Sequence, residues 1–283
     1  MLTLPIPEII VFWLVALVYL IAAIVGVVQL RPGGNKYKRL LPPLVSLAVA
    51  MEAVFLIFRA IEIKAVPLTG LFESMIVLTI VFGLIYLFFS IVINHVWFGS
   101  IIVWIILAII LMTAFVAKPA YEPHSMVTAP WAIAHGISMV LGGASITFAA
   151  AAALLYLIAT NKLKRKKVMD VLGKVPNIEK LEDMTLLGLK GSFVLMTIGL
   201  ASGIGLAAAN SGMLEITVLD WLKDSKIIMI GVVWILLAVM LGLRHFVRLK
   251  GKTIAYMTII AFVLILFGLI GTTVFCSTMH DFA

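Results

Sequence analysis

The sequence predicts an all-α polytopic membrane protein: a bundle of eight transmembrane helices with both termini outside. Three observations carry that expectation. First, 64% of the 283 residues are hydrophobic and 12% are charged, more apolar surface than a water-soluble fold can bury. Second, the apolar residues fall into long runs of about 20 or more, the length a helix needs to cross hydrocarbon roughly 30 Å thick. The runs lack the residue-by-residue alternation of an outer-membrane barrel strand. Third, the basic residues gather in alternate connections, which is how cytoplasmic loops are marked.

The eight runs cover approximately 9–30, 40–61, 74–94, 97–117, 130–159, 188–210, 226–247 and 253–277, within one integral membrane domain, 1–283. Arg31, Lys36, Lys38 and Arg39 follow the first run, and Arg244, Arg248, Lys250 and Lys252 follow the seventh. Between the fifth and sixth lie Lys162, Lys164, Arg165, Lys166, Lys167, Lys174, Lys180 and Lys190. Only Arg59, Lys64, Lys118, Lys223 and Lys226 fall on the opposite side. The formal net charge of +8 is therefore read as topology, not as a nucleic-acid footprint.

The first run has no basic segment before it and Arg31 after it, the charge order of a retained helix with its N-terminus outside. The second carries two ionisable groups, Glu52 and Arg59. A carboxyl deep in hydrocarbon does not stay charged without a partner, so Glu52 is either a protonated acid bonded to a neighbouring helix or a proton-coupling group. Glu73, at the start of the third run, is a further candidate for proton handling. The third and fourth runs meet in a tight inner turn around Asn94 and His95.

Small residues concentrate in the fifth run (Gly142, Gly143, Ala144, Ala149 to Ala153) and in the sixth (Gly199, Gly203, Gly205, Ala207 to Ala209). They suit close helix packing in lipid, or a flat wall left open for a planar ligand such as a porphyrin or quinone. Residues 160–187, with the run KLKRKK, read as a cytoplasmic linker with room for a short helix, whose basic part can touch anionic headgroups. Cys276 is the only cysteine, which excludes an internal disulfide and a CxxCH heme-attachment site in this chain.

Four of the five histidines fall at the ends of the runs: His95 and His245 at the inner side, His135 and His280 at the outer side. Neutral imidazole at the edge of a helix bundle is a natural ligand for heme iron or another metal, and bis-histidine ligation takes two imidazoles from different helices. An interfacial histidine also serves as a plain amphipathic anchor, and His245 sits between Arg244 and Arg248 on a basic edge. His124, in YEPHSM, reads as ordinary loop chemistry.

Several stretches resemble one family. RAIEIKAVPLTGLFES, from Arg59 to Ser74, resembles an arginine, a proline and NLYES ahead of a long apolar helix. HGISMVLGGASITFAAAAALLYLI, from His135, resembles a histidine-led helix with a small-residue face. LEDMTLLGLKGSFVLMTIGLASG resembles the approach to an external loop, and STMHDF, with His280, a terminal external histidine. These patterns, in the same order over roughly 50–283, are similar to the heme-handling cytochrome c assembly proteins, the Ccs-type integral membrane subunit. That family's external loop centres on W-x-W-D-P-K. WLKDSK stands opposite it here: Trp221, Asp224 and Lys226 match, while Lys223 and Ser225 replace the second tryptophan and the proline. The chain thus resembles a divergent member with an eroded tryptophan-rich loop.

The resemblance implies that His135 and His280 hold heme b at the outer face, with Trp221 and Asp224 in the loop between them. It implies a shifted match for an inner heme ligand at His245, and the inner position of His95 lets it serve as the second inner ligand. One or two hemes b would be held or moved across a prokaryotic cytoplasmic (inner) membrane, with functional loops on the outer face. A second membrane subunit and a CxxCH-bearing apocytochrome would be partners, and the chain would be the heme-handling part of a cytochrome c synthase if it is an enzyme at all. Two other functions fit the same residues. One is a di-heme electron-transfer subunit that oxidises quinol beside a multiheme cytochrome, with Glu52 or Glu73 handling protons. The other is a regulator of heme biosynthesis, which the eroded loop suits.

Overall fold

A computed structural model describes residues 4–30, 34–63, 71–92, 96–116, 119, 130–166, 176–214, 223–247 and 249–268. Among them are eight α-helices and no strand. The helices are α1 (Ile6–Val28), α2 (Leu41–Ile63), α3 (Leu71–Val92), α4 (Val96–Val116), α5 (Pro130–Lys164), α6 (Ile178–Leu214), α7 (Ser225–Val247) and α8 (Gly251–Leu266). A 3₁₀ turn, Gly34–Leu40, leads into α2.

Among the described residues, five helical stretches are long and apolar enough to cross a membrane: Ile6–Val28, Tyr37–Ile63, Pro130–Lys164, Ile178–Ala209 and Ser225–Val247. Phe72–Phe88, Gly99–Phe115 and Gly251–Leu266 are shorter apolar helical stretches. The protein is an integral membrane protein.

The helix starts follow from local chemistry. Pro5 precedes α1 in an extended conformation, Pro7 lies in its first turn and Glu8 complements the dipole there. Pro42 and Pro43 occupy the first turn of α2, where the N–H groups proline lacks have no intrahelical partner anyway. Asn177 caps α6, its Oδ1 accepting from the Lys180 N–H at 2.8 Å. Asp224 caps α7 in the same way, accepting from the Lys226 N–H at 2.8 Å.

Helix runs well into the segment expected to be a linker. Of 160–187, α5 takes the part up to Lys164 and α6 the part from Ile178. Hydropathy stops where lysines and glutamates begin, but those residues are good helix formers and the Asn177 cap supplies a start. At about 1.5 Å per residue, the 35 residues of α5 and 37 of α6 outreach the hydrocarbon layer.

The chain divides into two compact units, Met1–Pro123 with Lys162–Pro176, and His124–Asn161 with Asn177–Ala283. In the first unit α1 buries Phe12, Val15, Ala16, Tyr19, Ala22 and Ala23, one helical face, and leaves Ile10, Leu14, Leu17, Ile21 and Ile24 exposed. Apolar side chains inside and outside alike are what a lipid-solvated helix requires. The N-terminal end of α1, the C-terminal end of α2 and the N-terminal end of α3 meet around Arg59. The far end of α1 meets the start of α4, where Ser100 donates to the Gly26 carbonyl at 2.7 Å. Successive helices in this unit therefore alternate in direction.

The second unit is built on Ile146, Ala149, Leu189, Met196, Val233, Leu237, Met240, Ile254 and Ala261. Here α5 and α6 approach through small residues. A Cβ added at Gly188 would meet the Ser145 carbonyl at 2.7 Å and the Ala149 side chain at 2.9 Å. One at Gly142 would lie 3.4 Å from Met196. Of the two uses for small residues, close packing describes Gly142 and Gly188, while Gly143 has nothing within 4 Å.

Candidate functional site

Histidine 135 lies one turn into α5, half-buried, at the end where α5 starts and α7 starts. Its Nδ1 is 2.8 Å from the Gly199 carbonyl oxygen on α6. A carbonyl can only accept, so Nδ1 carries the proton and the lone pair of the neutral ring sits on Nε2. That is the arrangement found behind metal-ligating histidines, where a carbonyl fixes the tautomer and holds the ring in place.

The partner carbonyl is itself well supported. Ser202 Oγ lies 3.0 Å from the same Gly199 oxygen and 2.7 Å from the Ile198 oxygen. Ser138 bonds the Ala134 and His135 carbonyls at 2.6 and 3.0 Å. A Cβ at Gly199 would crowd the side chains of Met139, whose Sδ it would meet at 2.5 Å, and Ser138, whose Oγ would lie 3.1 Å away. One turn before His135, the Trp131 ring lies against Gly205, whose added Cβ would come within 2.9 Å of it. Trp131 is half exposed. It was not among the residues expected at the outer site; its signal is the i, i+4 spacing to His135, which puts both on one helix face. Lys226, at the start of α7, is near enough for His135 to feel its charge.

At the opposite end of the second unit, Arg244 closes the α7–α8 turn. It donates to Glu182 Oε1 at 2.6 Å and to the Leu249 carbonyl. A Cβ at Gly251 would run into the Glu182 carboxylate and the Tyr156 hydroxyl. Arg244 is thus a structural tie, not only part of a solvated basic edge. His245 beside it is exposed, edge-on to Phe246 with centroids 5.0 Å apart.

Asp224 is buried and caps α7, an identifiable structural duty for that carboxylate. His95, Trp221 and His280 lie outside the described residues, as does His124.

In the first unit the structure separates the two acidic candidates. Glu73 is ion-paired, its Oε1 2.7 Å from Arg59 Nη2 and 3.2 Å from Nε, with both side chains essentially fully buried. Glu8 joins the same guanidinium at 3.4 Å. Glu52 is bonded to hydroxyls instead: Tyr19 Oη donates to Oε2 at 3.0 Å, and Thr79 Oγ1 is 2.6 Å from Oε1.

Residues 68–280 match the family model described as Cytochrome C assembly protein. The chain belongs to that family. No curated protein and no solved structure matches it. The family match takes in α3 to α8 with His95, His135, His245 and His280, and begins after Glu8, Tyr19, Glu52 and Arg59. Membership supports a role in cytochrome c maturation. Among the described residues, His135 has the chemistry of a metal donor: a neutral imidazole with its lone pair on Nε2.

Proposed function

We propose that this family member binds heme b and holds or moves it across the membrane for cytochrome c maturation. The observation that carries the reading is the bond from His135 Nδ1–H to the Gly199 carbonyl, which puts the lone pair of the neutral ring on Nε2. His280 would supply the second axial imidazole on the same side, with Trp131 as an aromatic face beside the site. Exposed His245 would accept heme at the inner side. The alternation of helix direction in the first unit is in keeping with a bundle of eight crossings with both termini outside, and the basic residues of 31–39, 160–190 and 244–252 favour a cytoplasmic side for those connections. The outer histidines would then face the compartment where apocytochrome c is matured, beside a second membrane subunit, in a prokaryotic inner membrane.

The test is a pyridine hemochrome spectrum on full-length protein purified in mild detergent from heme-sufficient cells. The expected result is a heme b signal that weakens in Gly199→Val, because that side chain crowds Met139 and Ser138 beside His135. Heme-free wild type would overturn the reading. It would favour regulation of heme supply instead, the alternative suited by Lys223 and Ser225 in place of the loop's tryptophan and proline.

A further inference from the structure

Glu52 is the buried carboxyl that heme handling leaves unused. It is eleven residues into α2, about 17 Å along the helix at 1.5 Å per residue, and 2% exposed. A carboxyl at that depth in a bundle marks function by default. Its bonding differs in kind from that of Glu73, which is locked on Arg59. Glu52 touches two hydroxyls from two other helices, Tyr19 on α1 and Thr79 on α3.

We propose that Glu52 is a proton-exchange site in which the Thr79 hydroxyl switches partner as the proton arrives or leaves. Thr79 Oγ1 has two acceptors in reach, Glu52 Oε1 at 2.6 Å and its own helix's Ile76 carbonyl at 2.7 Å. A hydroxyl has one hydrogen, so it serves one acceptor at a time. With Glu52 ionised, Thr79 and Tyr19 both donate to the carboxylate. With Oε1 protonated, that O–H donates to Thr79 Oγ1, Thr79 turns its hydrogen to the Ile76 carbonyl, and Tyr19 still donates to Oε2. Every polar atom is satisfied in both states without moving a heavy atom, which a buried site must achieve to change charge cheaply.

A void of about 10 Å³ lies beside Glu52, lined otherwise by the apolar side chains Phe12, Val15, Phe55, Ile76 and Ile110. On the side toward Arg59, Phe12, Phe55 and Phe72 touch one another with ring centroids 5.8 to 6.4 Å apart. Beyond the rings lies the Arg59–Glu73–Glu8 cluster. The proton comes from bulk hydronium and bonds to Oε1, releasing water; it leaves by the reverse, and no electron moves. Around Glu52 the neighbouring elements offer Tyr19 on α1 and Thr79 on α3, with Glu73 six residues before Thr79 and Tyr86 seven after. The α4 helix brings no titratable side chain.

The test is pH-difference infrared spectroscopy on the full-length protein in lipid nanodiscs, in H₂O and D₂O. Wild type should show the carbonyl stretch of a protonated carboxylic acid that titrates and shifts in D₂O. Glu52→Gln should remove it, and Thr79→Val should keep it at a shifted frequency. Difference spectra identical in wild type and Glu52→Gln, or a band blind to pH or to D₂O, would overturn the proposal. If Glu52→Gln does not fold, Thr79→Val and Tyr19→Phe decide: an unmoved band in both refutes the site.

Discussion

The two units cross the same solvent with opposite devices. The first puts charge inside: Arg59, Glu73 and Glu8 join three helices at one end, and Glu52 joins three in the middle. The second puts small residues inside, with Gly188 against Ser145 and Gly199 against Met139; its interhelical polar bonds include His135 to Gly199 at one end, Arg244 to Glu182 at the other and Trp234 to Thr197 between them. Lipid tails offer no hydrophobic drive for helices to associate, so close packing and interhelical polar bonds must supply it. A polar interior suits a unit that handles charge in the bilayer. A small-residue interior with histidines at its ends suits a unit that holds a ligand at the faces.

Replacing Arg59 should give the largest effect. Arg59→Met leaves buried carboxylates without their cation and should cost about 3–5 kcal/mol in reversible unfolding in mixed micelles. Adding Glu73→Leu should recover the larger part, because a packed apolar pair substitutes for a buried ionic one. Equal losses in single and double variants would show that the first unit is not held by this ion cluster.

In the second unit the matching experiment is steric. Gly188→Leu pushes a side chain into the Ser145 backbone and should cost about 1–3 kcal/mol by overpacking. Gly143→Ala, with open space around it, should stay within about 0.5 kcal/mol of wild type. Equal effects at the two positions would refute the packing role assigned to Gly188. Between these lies the cap: Asp224→Ala should cost about 1 kcal/mol through the lost bond to the Lys226 N–H, read in the same unfolding measurement.

Much of this fold is legible in the sequence because hydropathy reports it directly. The runs at 9–30, 40–61, 97–117 and 226–247 lie within three residues of α1, α2, α4 and α7 at each end. The polar extensions of α5 and α6 are not legible that way, since helix in water has no apolar signature; Asn177 was the available sign of the α6 start. At the candidate site, His135 could be read from its place at a helix end, but its partner Gly199 is 64 residues away and contributes only a backbone oxygen. Glu52 and Glu73 look alike in sequence. Their difference comes from which side chains α1 and α3 bring to α2, and no local pattern encodes that pairing.

The most direct test of the heme-handling reading is His135→Ala in the full-length protein, followed by optical spectroscopy of the bound heme with and without added imidazole. The expected result is loss of outer-site heme absorbance that imidazole restores by filling the ligand position. A spectrum unchanged by His135→Ala would contradict it.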